Sequence, residues 1–375
     1  MSVRLRVNPI VCDGHGLCAE LFPERITLDD WGFPIIDHTP VGSNEERHAR
    51  RAVDACPTLA LALIPAGAPR SSARMKAASS SIKRLLTRGR CARFCALGAG
   101  VVTVAAAQAH GPAAQVRVFE FVDRSRTIVL PDGKRVPRVL RTVVRYPSAA
   151  GLHPLIVFAH GFALTPASYT GLLNAWAAAG YVVAAPVFPL TNARAPGGPR
   201  EADIINQPRD VSLVITRLLA MSRRSAGVLA GKINPARVAV GGQSDGGVTA
   251  LAVAYDSRFR DRRVDAAVVL SGARLGGMGS FPRRGPPLLA VQGTADTLNA
   301  PATTSTFFGL APRPKFLLWL VGATHLPPYT DEQPQLGIVE RTTIAFLDHY
   351  EKGRSLAVFE RAARVAGLTR LVADP

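Results

Sequence analysis

Downstream of residue 114, short apolar runs alternate with longer helical stretches. Eight runs have strand length and are rich in β-branched residues: 116–122, 138–145, 154–159, 181–186, 237–241, 264–270, 287–291 and 315–321. Several are apolar on both faces, which is typical of buried parallel strands. The helical stretches between them are 169–179, 207–222, 245–255 and 336–351. The alternation predicts a doubly wound α/β sheet of about eight mostly parallel strands.

A different pattern precedes this region. Basic residues lead into an apolar run from Phe94 to Ala107, and the small-residue triplet Ala107-Gln108-Ala109 follows. This order is typical of a secretory signal peptide, with its start at Met75 and cleavage after Ala109. A buried or membrane-spanning helix is the alternative, although a run of about fourteen residues is short of the ~20 that span a bilayer.

These patterns divide the chain into five segments. We expect a small α+β ferredoxin-like domain at 1–66, a basic Ser/Pro/Gly linker at 67–93, the signal-peptide-like segment at 94–109, the α/β domain at 110–352, and a C-terminal helix and tail at 353–375. The Ser-, Pro- and Gly-rich composition of the second segment is typical of a linker.

The net charge of +18 is unevenly distributed along the 375 residues. Residues 1–66 carry six arginines against nine acidic residues, a net charge of −3, whereas residues 67–93 carry eight basic residues and no acidic one. The remaining excess of arginine is spread among apolar segments without interleaved aromatic residues. This distribution argues against a nucleic-acid-binding surface.

Three cysteines in the first segment suggest a metal site. Cys12 and Cys18 flank a Gly-rich loop that contains His15, and Cys56 returns later, directly before Pro57. Thiolates in this arrangement suit an iron-sulfur cluster. The alternatives are a zinc site, for which the spacing between Cys12 and Cys18 is too long, and three unrelated buried cysteines.

Residues 3–64 resemble the small single-cluster ferredoxins of bacteria. The resemblance rests on "VCDGHGLCAELFPERITLDDWGFPII" and "ARRAVDACPTLALAL". It implies a 3Fe-4S cluster on Cys12, Cys18 and Cys56, with His15 either an optional fourth ligand or a neighbour of the open corner; we favour the neighbour. It also implies a ferredoxin reductase and a haem-thiolate monooxygenase as electron-transfer partners.

A nucleophile motif occurs in the α/β domain. The sequence "RVAVGGQSDGG" places Ser244 between a predicted strand and a predicted helix, with Gly242 and Gly246 on either side. Small residues at these positions allow the sharp turn of a nucleophile elbow. The context therefore predicts Ser244 as a catalytic nucleophile.

A serine nucleophile needs a base and an acid, which follow it in the order Ser, Asp, His in folds of this kind. Two histidines follow Ser244: His325 in a loop after a predicted strand, and His349 within the last long helix. We expect His325 to be the base and Asp296, on the loop "GTADTLN", to be the acid. Asp331 follows His325 and so has the wrong order.

An oxyanion needs N–H donors close to the nucleophile. We expect the backbone N–H groups of Phe162 and Asp245 to serve, with His160 bracing the first turn. Phe162, Trp176, Phe188 and Trp319 are candidates for apolar walls, although both tryptophans fit a core position equally well. The loop 189–210 is expected to form a substrate rim or small lid.

Residues 115–350 resemble the serine α/β hydrolases, in the branch of platelet-activating-factor acetylhydrolases, chlorophyllases, dienelactone hydrolases and cutinases. The motifs "FAHGF", "GGQSDGG", "GTAD" and "GATH" carry the resemblance. It implies hydrolysis of a small or lipid-like carboxylic ester through an acyl-serine intermediate, without a metal or organic cofactor.

Three interpretations of the whole chain remain open. Both parts work independently in one polypeptide; or an exported esterase starting at Met75 has been joined to a ferredoxin by read-through; or the ferredoxin carries electrons and the hydrolase fold is idle. An exported hydrolase would lie outside the cytoplasm or in the cell envelope, after transient membrane engagement through 94–109. An intact chain would be cytoplasmic.

Overall fold

The computed structural model describes residues 3–7, 12, 17–29, 33–54, 56, 60–66, 114–278 and 281–375. The predicted linker and signal-peptide-like segment, and also His15, lie outside the described residues. The chain divides into two compact units, Met1–Ala109 and His110–Pro375. In the ranges just given, no helix combines the length and the apolar character needed to cross a bilayer.

The N-terminal unit is a small α+β fold. Its elements are β1 (Val3–Val7), α1 (Leu17–Leu21), β2 (Ile26–Leu28), β3 (Pro34–Ile36), α2 (Glu46–Asp54) and β4 (Leu61–Pro65). Strand β1 pairs with β4, and β2 pairs with β3, both antiparallel. A core that includes Leu5, Phe22 and Leu61 joins the strands to the helices, and Cys18 and Cys56 pack against it.

The C-terminal unit begins with two long strands and continues as alternating strands and helices. Its elements are β5 (Gln115–Val129), β6 (Arg135–Tyr146), β7 (His153–Ala159), α3 (Thr170–Ala178), β8 (Val182–Val187), α4 (Gln207–Ser222), β9 (Ile233–Gln243), α5 (Asp245–Tyr255), β10 (Ala266–Leu270), β11 (Leu288–Gly293), α6 (Pro301–Leu310), β12 (Lys315–Leu320), α7 (Gln335–Lys352), α8 (Leu356–Ala363) and β13 (Thr369–Asp374).

These strands form one sheet in the order β13-β12-β11-β10-β9-β7-β8-β6-β5. Six neighbouring strands are mutually parallel, namely β12, β11, β10, β9, β7 and β8. Strands β5, β6 and β13 are antiparallel to their neighbours. Helices cover both faces of the sheet. Successive residues of the central strands accordingly pack in two different hydrophobic cores, Val157 on one side of the sheet and Ile156 on the other. The predicted fold class, an α/β-hydrolase sheet after a small α+β domain, is confirmed.

The C-terminal tail differs from expectation. The predicted helix is present as α8, but the last residues form β13, which extends the sheet beyond β12. Its residues are exposed or half-buried, and Leu371 packs against the core. Because an edge strand of this kind is short and mixed in polarity, its sequence gives little signal.

A buried ion cluster fixes the chain ahead of α4. Arg138 on β6 is 2% exposed, and its guanidinium donates to Asp210 at 2.6 and 2.8 Å and to Asp203 at 2.6 Å. Arg126 of β5 adds a second cation 2.7 Å from Asp210. Buried carboxylates require such partners. The end of the loop 189–210 is thereby tied to β5 and β6.

Candidate active site and candidate metal centre

Ser244 lies on a sharp turn between β9 and α5. Its backbone has φ 54° and ψ −121°, a conformation that a non-glycine residue rarely adopts. A side chain on Gly242 would collide with the backbone of Gly246, and one on Gly246 would collide with the carbonyl of Ala159. Both glycines are therefore needed for the approach of α5 to the strand ends, which lifts the serine hydroxyl above the sheet.

The structure brings Ser244, His325 and Asp296 together. His325 Nδ1 lies 2.8 Å from Asp296 Oδ2, and His325 Nε2 lies 2.9 Å from Ser244 Oγ. Because the carboxylate accepts the proton of Nδ1, Nε2 is left as an acceptor for the serine hydroxyl. This is the geometry in which an imidazole can remove the proton of a nucleophile.

Asp296 is held in its ionised form. Burial by itself would raise the pKa of this carboxyl, which is 3% exposed, but the hydrogen bond and charge of His325 outweigh burial and leave the pKa lowered. The N–H groups of Leu298 and Asn299 donate to Oδ1 at 3.0 and 2.9 Å. The Gln292 amide donates to Oδ2 at 3.0 Å. The carboxylate thus has a fixed orientation toward the imidazole.

The two expected oxyanion donors come from the start of α5 and from the loop after β7. Asp245 is the first residue of α5, where an N–H has no partner within the helix. In the loop after β7, Gly161 N–H donates to Tyr169 and Ala163 N–H donates to the carbonyl of Thr191. Within the described part of the chain, Phe162 N–H donates to no other group, so it is available to a substrate.

His160 braces this turn. It is fully buried, its Nε2 accepts the N–H of Phe188 at 3.1 Å, and its Nδ1 lies 2.8 Å from the carbonyl of Gly161. Burial lowers the pKa of His160 to about 4, so the ring is neutral at ordinary pH and Nδ1 carries the proton. This position fits the bracing role expected from the sequence.

Gln243 is a site residue that the sequence analysis missed. This fully buried amide accepts the hydroxyl of Tyr169 at 2.7 Å and donates to the carbonyl of His325 at 2.9 Å. The same hydroxyl accepts Gly161 N–H at 3.1 Å. Gln243 therefore joins the oxyanion turn to the histidine loop. The only signal was its place in the motif, between Gly242 and Ser244, where any residue fits the pattern.

The backbone around the site adopts strained conformations. In the ranges that the structure describes, the non-glycine residues with positive φ are Ala163 at 53°, Ser244 at 54° and Ser271 at 44°. All three follow carboxyl ends of parallel strands. Such strain persists where the surroundings hold it in place, as they commonly do at functional sites.

The expected apolar walls lie largely in the core. Trp176 is fully buried and donates to Thr343, and Trp319 is 7% exposed within the opposite core layer. Phe188 is fully buried against His160. Only Phe162 is partly exposed. The structure thus excludes the two tryptophans and Phe188 as open substrate walls.

Cys12, Cys18 and Cys56 are half-buried thiols, none of them in a disulfide. Burial raises the pKa of the Cys18 thiol, and the charges of Cys56 and then Cys12 raise it further. Across the described residues, no three His, Cys, Asp or Glu side chains converge tightly enough to hold a metal ion. By residue type the set fits the group, because iron-sulfur clusters are held by cysteine sulfurs.

Residues 122–317, just over half of the chain, match the family model described as chlorophyllase. The chain belongs to the chlorophyllase family. The chlorophyllase match contains Ser244 and Asp296 and ends before His325, which reaches the site through its own loop. The resemblance to this branch of the α/β hydrolases is confirmed.

Residues 6–63 match a second family model, described as a 4Fe-4S single cluster domain. This match confirms the resemblance to single-cluster ferredoxins and covers all three candidate cysteine ligands. No curated protein matches the sequence.

Replacing Gln243 with Leu should lower kcat for ester cleavage by about 10- to 100-fold. Leaving buried polar groups unsatisfied costs about 1–3 kcal/mol, and about 1.4 kcal/mol corresponds to a tenfold change in rate. In this variant the loss of the two hydrogen bonds should displace His325 and the oxyanion turn. KM should change little. Steady-state kinetics with a p-nitrophenyl ester, alongside circular dichroism to verify folding, measures this. An unchanged kcat in a folded variant would contradict the positioning role.

Replacing Asp245 with Asn should stabilise the C-terminal unit at high pH. Burial, aided by the charge of Glu201, raises the pKa of Asp245 from 3.8 to about 6, and its Oδ2 has no hydrogen-bond partner in the described structure. Below 3.8 the carboxyl is neutral in folded and unfolded chains, so no gain is expected there. Above pH 6 the folded state holds a disfavoured charge. The expected gain in the free energy of unfolding is about 1–3 kcal/mol, a range that allows for the partial exposure of the Asp245 carboxyl.

Urea unfolding of wild type and variant at a series of pH values measures this difference. A stability difference that stays constant with pH would show that the Asp245 charge does not oppose folding.

Proposed function

We propose that the α/β domain is a serine carboxylic-ester hydrolase that works through an acyl-serine intermediate. The observation that carries the proposal is the pair of contacts at His325, 2.9 Å to Ser244 Oγ and 2.8 Å to Asp296 Oδ2. Membership of the chlorophyllase family supports an esterase-type activity. The substrate is a small or lipid-like ester.

Acylation begins with attack of Ser244 Oγ on the ester carbonyl carbon. His325 Nε2 takes the hydroxyl proton as the new C–O bond forms, and Asp296 stabilises the resulting imidazolium. The N–H groups of Phe162 and Asp245 donate to the oxyanion. When the tetrahedral intermediate collapses, the bond to the alcohol breaks and His325 returns the proton to the leaving alcohol.

Deacylation repeats these steps with water. His325 takes a proton from the water as its oxygen attacks the acyl carbon, and the same N–H pair stabilises the second oxyanion. Collapse breaks the bond to Ser244 Oγ, which recovers its proton from His325. The products are a carboxylic acid and the free enzyme.

Replacing Ser244 with Ala should abolish hydrolysis of a short-chain p-nitrophenyl ester, with a loss of at least about a thousandfold because no acyl-enzyme forms. Ser305→Ala, on the exposed side of α6, is the matched control and should retain full activity. Release of p-nitrophenol measures both. Activity retained in the Ser244 variant would overturn the proposed triad.

For the N-terminal domain we propose a 3Fe-4S cluster held by Cys12, Cys18 and Cys56. The matched family is described by a four-iron cluster, but His15 stands at the position where a fourth cysteine would complete the cube. We propose His15 as a neighbour of the open corner. A bound cluster would supply one-electron transfer. The net charge of −3 suits a steered encounter with basic partners, a ferredoxin reductase and a haem-thiolate monooxygenase.

The full chain, reconstituted with iron and sulfide without oxygen, should be brown and reducible. Cys56→Ser should bleach this absorbance because a ligand is lost, whereas the matched variants Cys91→Ser and Cys95→Ser should keep it. Visible absorption with iron and sulfide analysis measures the cluster and its iron content. Full absorbance in Cys56→Ser would contradict the ligand set, and four irons per chain would contradict the three-iron assignment.

We further propose that the two activities do not cooperate. Electron transfer and ester hydrolysis share no chemical step, and cluster assembly needs a reducing cytoplasm whereas residues 94–109 suit export. The export hypothesis starts the working hydrolase at Met75 and places it in the envelope or outside the cell.

If residues 94–109 act as a signal peptide, the native hydrolase should begin at His110, because cleavage follows the Ala107-Gln108-Ala109 triplet. Mass spectrometry of protein isolated from its own cells, fractionated into cytoplasm and envelope, measures the N-terminus directly. Peptides from residues 1–74 joined to an active hydrolase in the cytoplasm would instead support the intact fusion.

A further inference from the structure

A pocket of about 450 Å³ lies beside the oxyanion turn. Val143 of β6 and Val187, the last residue of β8, form part of its wall. Thr165 lines it from the segment after the oxyanion turn, and Arg194 from the loop 189–210. The volume is in the range of sites for small organic ligands.

The charge around this pocket is positive. Arg141 and Arg194 both line it and both are exposed, and none of its lining residues is acidic. Glu120 is the cross-strand neighbour of Arg141, yet among the described residues Arg141 has no carboxylate within the 4.0 Å of an ion pair. Guanidinium groups bind carboxylates and phosphates in a planar, two-point geometry.

The segment that carries Arg194 is held in place. The Asn192 side chain accepts Arg194 N–H at 2.8 Å and donates to the carbonyl of Phe188 at 2.6 Å. Thr165 also lines the pocket, and its hydroxyl makes no capping bond to the helical turn that follows. The pocket lining thus combines a hydroxyl with two arginines, and the backbone at Arg194 is held in place.

The pocket lies at the same edge of the sheet as Ser244, because Val187 ends β8, Ser244 follows β9, and both strands run parallel to β7. Ala163 N–H, next to the oxyanion donor Phe162, donates at 2.8 Å to Thr191, which leads into the pocket wall. Strands β8 and β6 lie two and three places from β9 in the sheet. With strands about 4.8 Å apart, the strands that form the pocket wall are displaced sideways from β9 by about 10–15 Å.

We propose that this pocket binds an anionic group, a carboxylate or a phosphate, that the ester substrate carries about 10–15 Å from its scissile carbonyl. The proposal rests on the proposed ester hydrolysis and narrows its substrate to acidic esters. Arg141 and Arg194 select for the anion, and Val143 and Val187 contact the chain that joins it to the ester.

The test compares three p-nitrophenyl esters with acyl chains of one length, ending in a carboxylate, in the methyl ester of that carboxylate, or in a phosphate. The full chain carries R141Q and R194Q together. R217Q and R224Q together, at two exposed arginines outside the pocket, are the matched control for net charge. In the double variant, kcat/KM for an anionic ester should fall about 10- to 100-fold relative to the neutral ester, the value of one or two charge-assisted hydrogen bonds.

The control should leave the ratio of kcat/KM for an anionic ester to kcat/KM for the neutral ester unchanged. Added salt should lower this ratio in the wild type only. Loss confined to the carboxylate or to the phosphate ester identifies the source of the anion. An unchanged ratio in the double variant overturns the pocket assignment while leaving the esterase intact. In parallel, calorimetry measures the binding of suberate and of inorganic phosphate to the wild type and to the double variant. If the wild type cleaves no ester, the proposed function fails. Loss of anion binding in the double variant would then still support the pocket.

Discussion

The site depends on one buried amide. Gln243 has no contact with water, so both ends of its side chain must find partners inside the protein. They do so on two different loops: the oxygen accepts from Tyr169 and the nitrogen donates to the backbone of His325. The residue next in the chain is Ser244. One residue therefore links Ser244, the backbone of His325 and the turn at Gly161 to one another.

Local sequence features account for most of the fold and for the three groups at the centre of the site. Buried parallel strands have long apolar runs, and α4 and α5 begin and end at the residues that the pattern indicates. Ser244, Asp296 and His325 could be assigned because each follows a strand in a fixed chain order. Gly242 and Gly246 could be assigned for the same reason, because the tight turn leaves no room for a side chain at either position and the motif fixes their spacing.

Other features depend on contacts between distant residues, which no local pattern shows. Tyr169 meets Gln243 across 74 positions of sequence. The C-terminal strand β13 is stabilised by pairing with β12 and has no strong strand signal of its own. Trp176 faces the core because α3 packs against α7, and its aromatic character alone fits a substrate wall just as well.

The ion cluster at Arg138 has a consequence for the mobility of the chain at the start of α4. Two carboxylates, at the last turn before α4 and within α4, share this guanidinium in the protein interior. Releasing that segment would leave the Arg138 guanidinium buried without a counter-charge. The stretch from Asp203 to Asp210 is consequently anchored to the sheet, and a hinge within it would carry the energetic cost of breaking these ion pairs.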